Sequence, residues 1–222
     1  MSNFPGSPRV LKAAIALVDP GTGILPSPLL ITLQYNPDSL GRTLQVRGAQ
    51  DAGDTSEALR LKGPPIETIT LEAEIDATDQ LEFPDLAASK SAVESGIFPH
   101  LSALERLAYP SSQQLRANDQ LADRGMLEIV PAEQPLALFV WSKNRVLPIR
   151  LTRLGIVEEA FDTHLNPIRA HVSLALRVLS VDDLGFRHKG GGLFMTYLQQ
   201  QEKLARSYLY GRLGDAGLET LP

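Results

Sequence analysis

The segment from Asn166 to Val181 constrains this chain more than any other. Ile168, Ala170, Val172, Leu174, Leu176 and Val178 share one parity, and Arg169, His171, Ser173 and Arg177 share the other. A period of two over this length is a β-strand with one buried face and one wet or interfacial face. Burying its large apolar side chains contributes roughly 8–15 kcal/mol gross, at about 1.5–3 kcal/mol each. A slip of one residue would turn them all outward, so the register is firmly set. At about 3.3 Å per residue such a strand is about 45–50 Å long, well beyond the common five or six residues. Strands of this length suit a curved sheet or barrel that also serves a neighbouring molecule.

Other segments repeat the pattern. Val10–Val18 reads as a first strand with Leu11, Ala13, Ile15 and Leu17 inward. Leu29–Tyr35 alternates, Asn36-Pro37-Asp38-Ser39 breaks it, and Leu40–Arg47 resumes, which predicts a hairpin or sharp corner. Ile69, Leu71, Ala73 and Ile75 oppose an acidic outward face. Leu136–Trp141 is apolar on both faces, as a covered central strand would be. Val146–Phe161 is a long strand whose phase jumps near Arg153, so a bulge is expected at Thr152–Gly155. Phe98–Tyr109 has helical spacing, Ala87–Gly96 is a second candidate helix, and 48–63 and 111–124 read as polar loops.

These elements divide the chain into a flexible arm (1–9), a barrel domain (10–185) with a helical insertion near 86–110, and a glycine hinge with a C-terminal helix (190–222). The hinge is Lys189-Gly-Gly-Gly192. Beyond it Phe194, Tyr197, Leu198, Leu204 and Tyr208 form a stripe that needs a partner surface, the chain's own barrel or a neighbour rather than a membrane, since the polar face has no cationic excess. The fold class expected is mainly β (α+β): an antiparallel β-barrel or sandwich with a flanking helix and a C-terminal amphipathic helix.

Composition excludes several functions. The chain has 222 residues, enough for a real core, and a formal net charge of −5, which offers no basic footprint for nucleic acid. It has no cysteine, so disulfides, thiolate metal sites and cysteine nucleophiles are out. The N-terminal apolar run is read as a strand rather than a signal peptide, and no apolar run approaches the ~20 residues of a membrane span. Cytoplasmic folding is expected. The histidines His100, His164, His171 and His188 lack metal-ligand spacing. The carboxylates Asp76, Asp79, Glu82 and Asp85 sit where a strand gives way to a loop, and solvation explains them better than acid–base work. No nucleophile elbow or phosphate loop is present. No enzyme, cofactor or metal is expected.

Three motifs, in order, resemble the tube-type proteins at the baseplate end of contractile injection systems. Leu33-Gln-Tyr-Asn-Pro-Asp-Ser-Leu40 is similar to the family's aromatic-Asn-Pro start. Ile69-Thr-Leu-Glu-Ala-Glu-Ile-Asp76 resembles its alternating strand with an acidic end. Leu136–Leu179 resembles its apolar-Trp strand followed by a Phe…Pro-x-Arg-Ala motif, matched at Phe161, Pro167, Arg169 and Ala170. Asn166 stands where the family usually has Gly, and Asn tolerates left-handed φ. Nothing after Val181 resembles the LysM module that often ends family members.

The resemblance implies a tube-protein-like barrel in a stacked ring, a hexamer, that joins the inner tube to the spike and baseplate proteins. It also implies cytoplasmic assembly, with release in a particle one outcome. The candidate interface residues are Asn36, Pro37, Pro167, Arg169, His171 and Arg177. The alternatives are a stand-alone small-ligand-binding β-barrel and a hydrolase using the 76–85 carboxylates.

Overall fold

The computed structural model describes residues 11–19, 30–48, 60–87, 89–125 and 134–208. The expected N-terminal arm, most of the 48–63 loop and the last residues of the C-terminal segment lie outside these. The strands are β1 (Ala14–Val18), β2 (Leu30–Thr32), β3 (Leu40–Gln45) and β4 (Ile66–Asp76). Helices α1 (Thr78–Glu82), α2 (Lys90–Ser95), α3 (Phe98–Glu105) and α4 (Ser112–Asp123) follow. The chain then forms β5 (Leu136–Ser142), β6 (Arg145–Phe161), β7 (Pro167–Val178), α5 (Val181–Leu184) and α6 (Lys189–Arg206).

All seven strands form one antiparallel sheet in the order β2-β1-β5-β6-β7-β4-β3, flanked by helices. The expected pleat decides the core. Ile69, Leu71, Ala73 and Ile75 of β4 lie in register with Leu176, Leu174, Val172 and Ala170 of β7, and all are buried. Phe139, Leu147, Ile149, Ile15 and Leu33 extend the same core, and Ile97, Leu101 and Leu104 cap it from the helical insertion. The bulge is real: the β6–β7 register shifts between Leu151 and Arg153, and Thr152 Oγ1 donates to the Ala175 carbonyl at 2.9 Å.

β2 and β3 do not form a hairpin. They occupy opposite ends of the sheet, and the corner between them joins the two ends. Leu33 N donates to Ala13 O, and Asn36 brackets the run-in to β1, accepting from Ala13 N and donating to Leu11 O. One step away, Gln34 turns to the far edge. Its Oε1 accepts from Asp76 N at 2.9 Å and its Nε2 donates to Asp76 O at 2.5 Å. A side-chain amide offers the donor–acceptor pair of a peptide unit, so Gln34 stands in for a strand neighbour at the end of β4. The corner is thereby tied to the run-in of β1 and to the end of β4.

Four readings change. The segment 111–124 is α4, started by Ser111, whose Oγ accepts from Gln114 N. None of its residues is buried, so no apolar stripe announces it. The glycines 190–192 are not a hinge but the first turn of α6. A Cβ on Gly191 would overlap the Gly185 carbonyl, so glycine is needed there for close approach to the end of α5. Leu11 is 77% exposed rather than inward. The left-handed position in the β6–β7 turn is Leu165 (φ 63°), not Asn166. Asn166 instead donates twice to Asp162, through N and Nδ2, each at 2.8 Å.

Helix α6 covers the chain's own core. Phe194 and Tyr197 are buried, and the helix packs on β6. Beneath it lies a polar network on the apolar side of the sheet. Glu67 is only 5% exposed, and its Oε1 accepts from Arg42 Nε at 2.7 Å. Arg42 Nη2 donates to the Tyr197 hydroxyl at 2.9 Å. The bond to Glu67 raises the Arg42 pKa further above its ordinary value, against the opposing effect of burial.

Candidate assembly interface

The reverse side of the core strands is a polar face shared by β3, β4, β7 and β6. Register places Thr43, Thr68, Arg177 and Arg150 in one row across it and Gly41, Thr70, Ala175 and Arg153 in the next. Glu72, Ser173 and Gly155 follow, then Glu74, His171 and Val157, then Asp76, Arg169 and Glu159. The middle of the face is floored by small residues. Cβ atoms on Gly41 and Gly155 would overlap Thr70 Oγ1 and Ser173 Oγ, so these strands lie under a shallow, close-packed floor.

Two open clefts mark this face. One, of about 530 Å³, lies between the Tyr35–Asp38 corner and Glu72, Glu74, Val157, His171 and Ser173. The other, of about 480 Å³, shares Glu72 and Ser173 with it and reaches Gly41, Thr70 and Arg153. Both lie on the side of the sheet opposite the core side chains.

The candidate residues separate into two groups. Asn36, Pro37 and His171 meet at the first cleft, with Arg169 one row beyond. Arg169 Nε lies 2.9 Å from Asp76 Oδ2 and 3.6 Å from Glu74 Oε1, which raises its pKa, the Asp76 bond foremost. His171 Nε2 lies 3.6 Å from Glu159 Oε2. Arg177 is at the other end of the face, with Nη2 2.5 Å from Asp183 Oδ1, while its Nε finds no partner among the described residues. Pro167 is not on the face at all. It is fully buried, and its carbonyl accepts from Ile97 N. Gly96 (φ 56°) sits against that carbonyl with no room for a Cβ. Asn36 uses both ends of its amide to hold the run-in to β1.

Asp76 is also committed internally. Burial disfavours its charge, but the bonds from Thr78 and Arg169 outweigh that, and its pKa lies below the usual carboxylate value. Thr78 N donates to its Oδ1 at 2.7 Å, fixing the start of α1. Among the described residues, no group of three or more His, Asp or Glu side chains is placed to hold a metal ion. No described helix is long and apolar enough to cross a membrane.

Residues absent from the sequence reading prove central here. Arg150 and Arg153 were submerged in a long strand, and the bulge alone puts both on the polar face. Arg42 and Glu67 drew no reading from the sequence, and Gln34 stood only within an alternating segment and a motif. The phase of β4 places Glu67 with Ile69 and Leu71, and that was the available signal.

No protein-family model and no curated protein sequence matches this chain. Among solved structures, a chain in the tail of an empty gene transfer agent particle, refined with C6 symmetry, is 12% identical. The match covers 75% of this chain and 90% of that one, with a TM-score of 0.28. A chain from the virion of a native gene transfer agent particle is 8% identical, covering 76% and 95%, with a TM-score of 0.26. At these values the likeness carries no argument about function.

Proposed function

We propose that this chain is a non-enzymatic building block of a contractile injection system, a ring subunit that joins the inner tube to the spike and baseplate. The three motifs that resemble tube-type proteins support this, and one structural observation carries it. The polar face has two different open margins. β3 ends the sheet on one side. On the other, β5 pairs with β6 only from Arg145 to Ile149, so among the described residues β6 beyond Ile149 pairs with β7 alone.

Unpaired edges of this length are a hazard in a monomer and a joint in an assembly. Two unlike margins on one face are what a closed head-to-tail ring requires. The unpaired length also exposes Val157 and Phe161, and Leu165 follows in the turn. The partners under this reading are copies of the chain, the tube protein, the spike and baseplate proteins, with six copies per ring as the resemblance implies.

Native mass spectrometry and negative-stain microscopy of the purified chain test this, with copurification from cells that express the neighbouring tail genes. Rings, or recovery with tube or spike subunits, support it. A strict monomer that never enters particles overturns it.

A further inference from the structure

The polar face carries opposite charge at its two ends. At one end Arg150 and Arg153 flank the bulge, and neither guanidinium has an acidic partner among the described residues. Their neighbours Arg47 and Arg177 are matched by Asp182 and Asp183. At the other end Glu72, Glu74, Asp76 and Glu159 face the same way, with Asp38 on the corner above. Arg169 is the guanidinium among them, and His171 the imidazole.

Arg150 lies three rows, about 20 Å along the strands, from Glu74, while Arg153 lies one row, about 7 Å, from Glu72 and two strands across, where the two line one cleft without an ion pair. The Debye length at physiological ionic strength is about 8 Å, so Arg150 and Glu74 are screened from each other within one molecule. We infer that this face docks a second copy of the chain head to tail, the Arg150–Arg153 zone of one meeting the Asp38–Glu72–Glu74 zone of the next. A face-to-face antiparallel pair would match the charges too, but it stops at a dimer, whereas the ring reading needs a contact between unlike surfaces. A guanidinium is slender enough to enter the cleft beside the Tyr35–Asp38 corner. There Glu72 and Glu74 accept from it while its alkyl stem lies on Val157. The inference deepens the ring reading, since both need copies to meet through unlike surfaces.

The test uses the full chain in sedimentation velocity at 50 and 500 mM NaCl. Self-association is expected at low salt and weakens about 10–100-fold at high salt or in Arg150→Glu/Arg153→Glu. Asp38→Lys/Glu72→Lys is expected to weaken it equally. Mixing the two variants restores association, because each then supplies the charge the other lacks. Arg150→Gln/Arg153→Gln guards against a folding defect, and circular dichroism confirms the fold of each variant.

Association that is indifferent to salt and to both reversals overturns the inference, as does a species that stops at a symmetric dimer. Particle recovery separates this from the ring reading. If reversed variants still self-associate and enter particles, the charge match falls and the ring stands. If the wild-type chain shows salt-sensitive head-to-tail association yet never enters particles, the ring falls and the charge match stands.

Discussion

The two halves of β6 are one continuous strand with opposite fates. From Arg145 to Ile149 it pairs with β5, the β7 ladder joining only at Ile149, and Leu147, Pro148 and Ile149 are buried. From Arg150 onward it holds β7 alone, and Leu154 and Ile156, which still point to the core side, are only half-buried. The residue types hardly change between the halves; what changes is the partner strand, β5 for the first half and β7 for the second. Burial is conferred by neighbours, and the edge of the distal half that β5 leaves is a surface awaiting one.

Truncation in each half should expose that contrast most strongly. Leu147→Ala removes a fully buried side chain and should cost about 3–4 kcal/mol, whereas Leu154→Ala should cost about 1 kcal/mol. Urea unfolding of the isolated chain measures both, and equal losses would mean the distal half is as well packed as the proximal one.

Next in size is the network under α6. Arg42→Ala leaves the buried Glu67 carboxylate without its partner and should cost about 2–3 kcal/mol. Tyr197→Phe, which keeps the ring and removes only the hydroxyl, should cost about 1 kcal/mol. If Glu67→Gln relieved most of the Arg42→Ala loss, the stranded charge would be confirmed as its cause.

The tie between the corner and β4 comes third. Gln34→Ala removes both bonds to the Asp76 main chain and should cost about 1–2 kcal/mol, with faster amide exchange at Asp76. Exchange confined elsewhere would show that the corner does not hold the end of β4.

The smallest expected effects are electrostatic. The folded pKa of Asp76 lies below its unfolded value of 3.8. Its contribution is therefore present above that value and lost as pH falls through the folded pKa. Asp76→Asn should flatten the acid limb of a melting-temperature profile and change little near neutrality beyond a constant offset. Arg169→Glu sets a carboxylate beside Asp76, Glu74 and Glu159 and should leave the monomer folded, with a larger loss in any assembly built on this face. A monomer that unfolds instead would mean this end of the face is structural.

Much of the sheet was legible because alternation is a local property. The parity of β7 and β4, the bulge at Thr152 and the cap at Gly96 all came from neighbouring residues in the chain. α4 escaped because a fully exposed helix leaves no stripe, and the Ser111 cap with Gln114 was its one local sign. The glycines 190–192 were misread because glycine serves flexibility and close approach alike, and only the carbonyl of Gly185 shows which applies. The candidate interface was half legible. Parity placed Arg169, His171 and Arg177 on the polar face, but Pro167 and Asn36 were committed to internal contacts that no spacing reveals.

By itself, then, the sequence determined which residues turn inward, since the pleat of a strand follows from chain geometry alone. Only the tertiary structure decided which strands become neighbours, which edge of β6 is left unpaired, and which charges find partners. Those depend on groups brought together from distant parts of the chain, such as Gln34 with Asp76 and Arg42 with Tyr197, whose meeting no local period encodes.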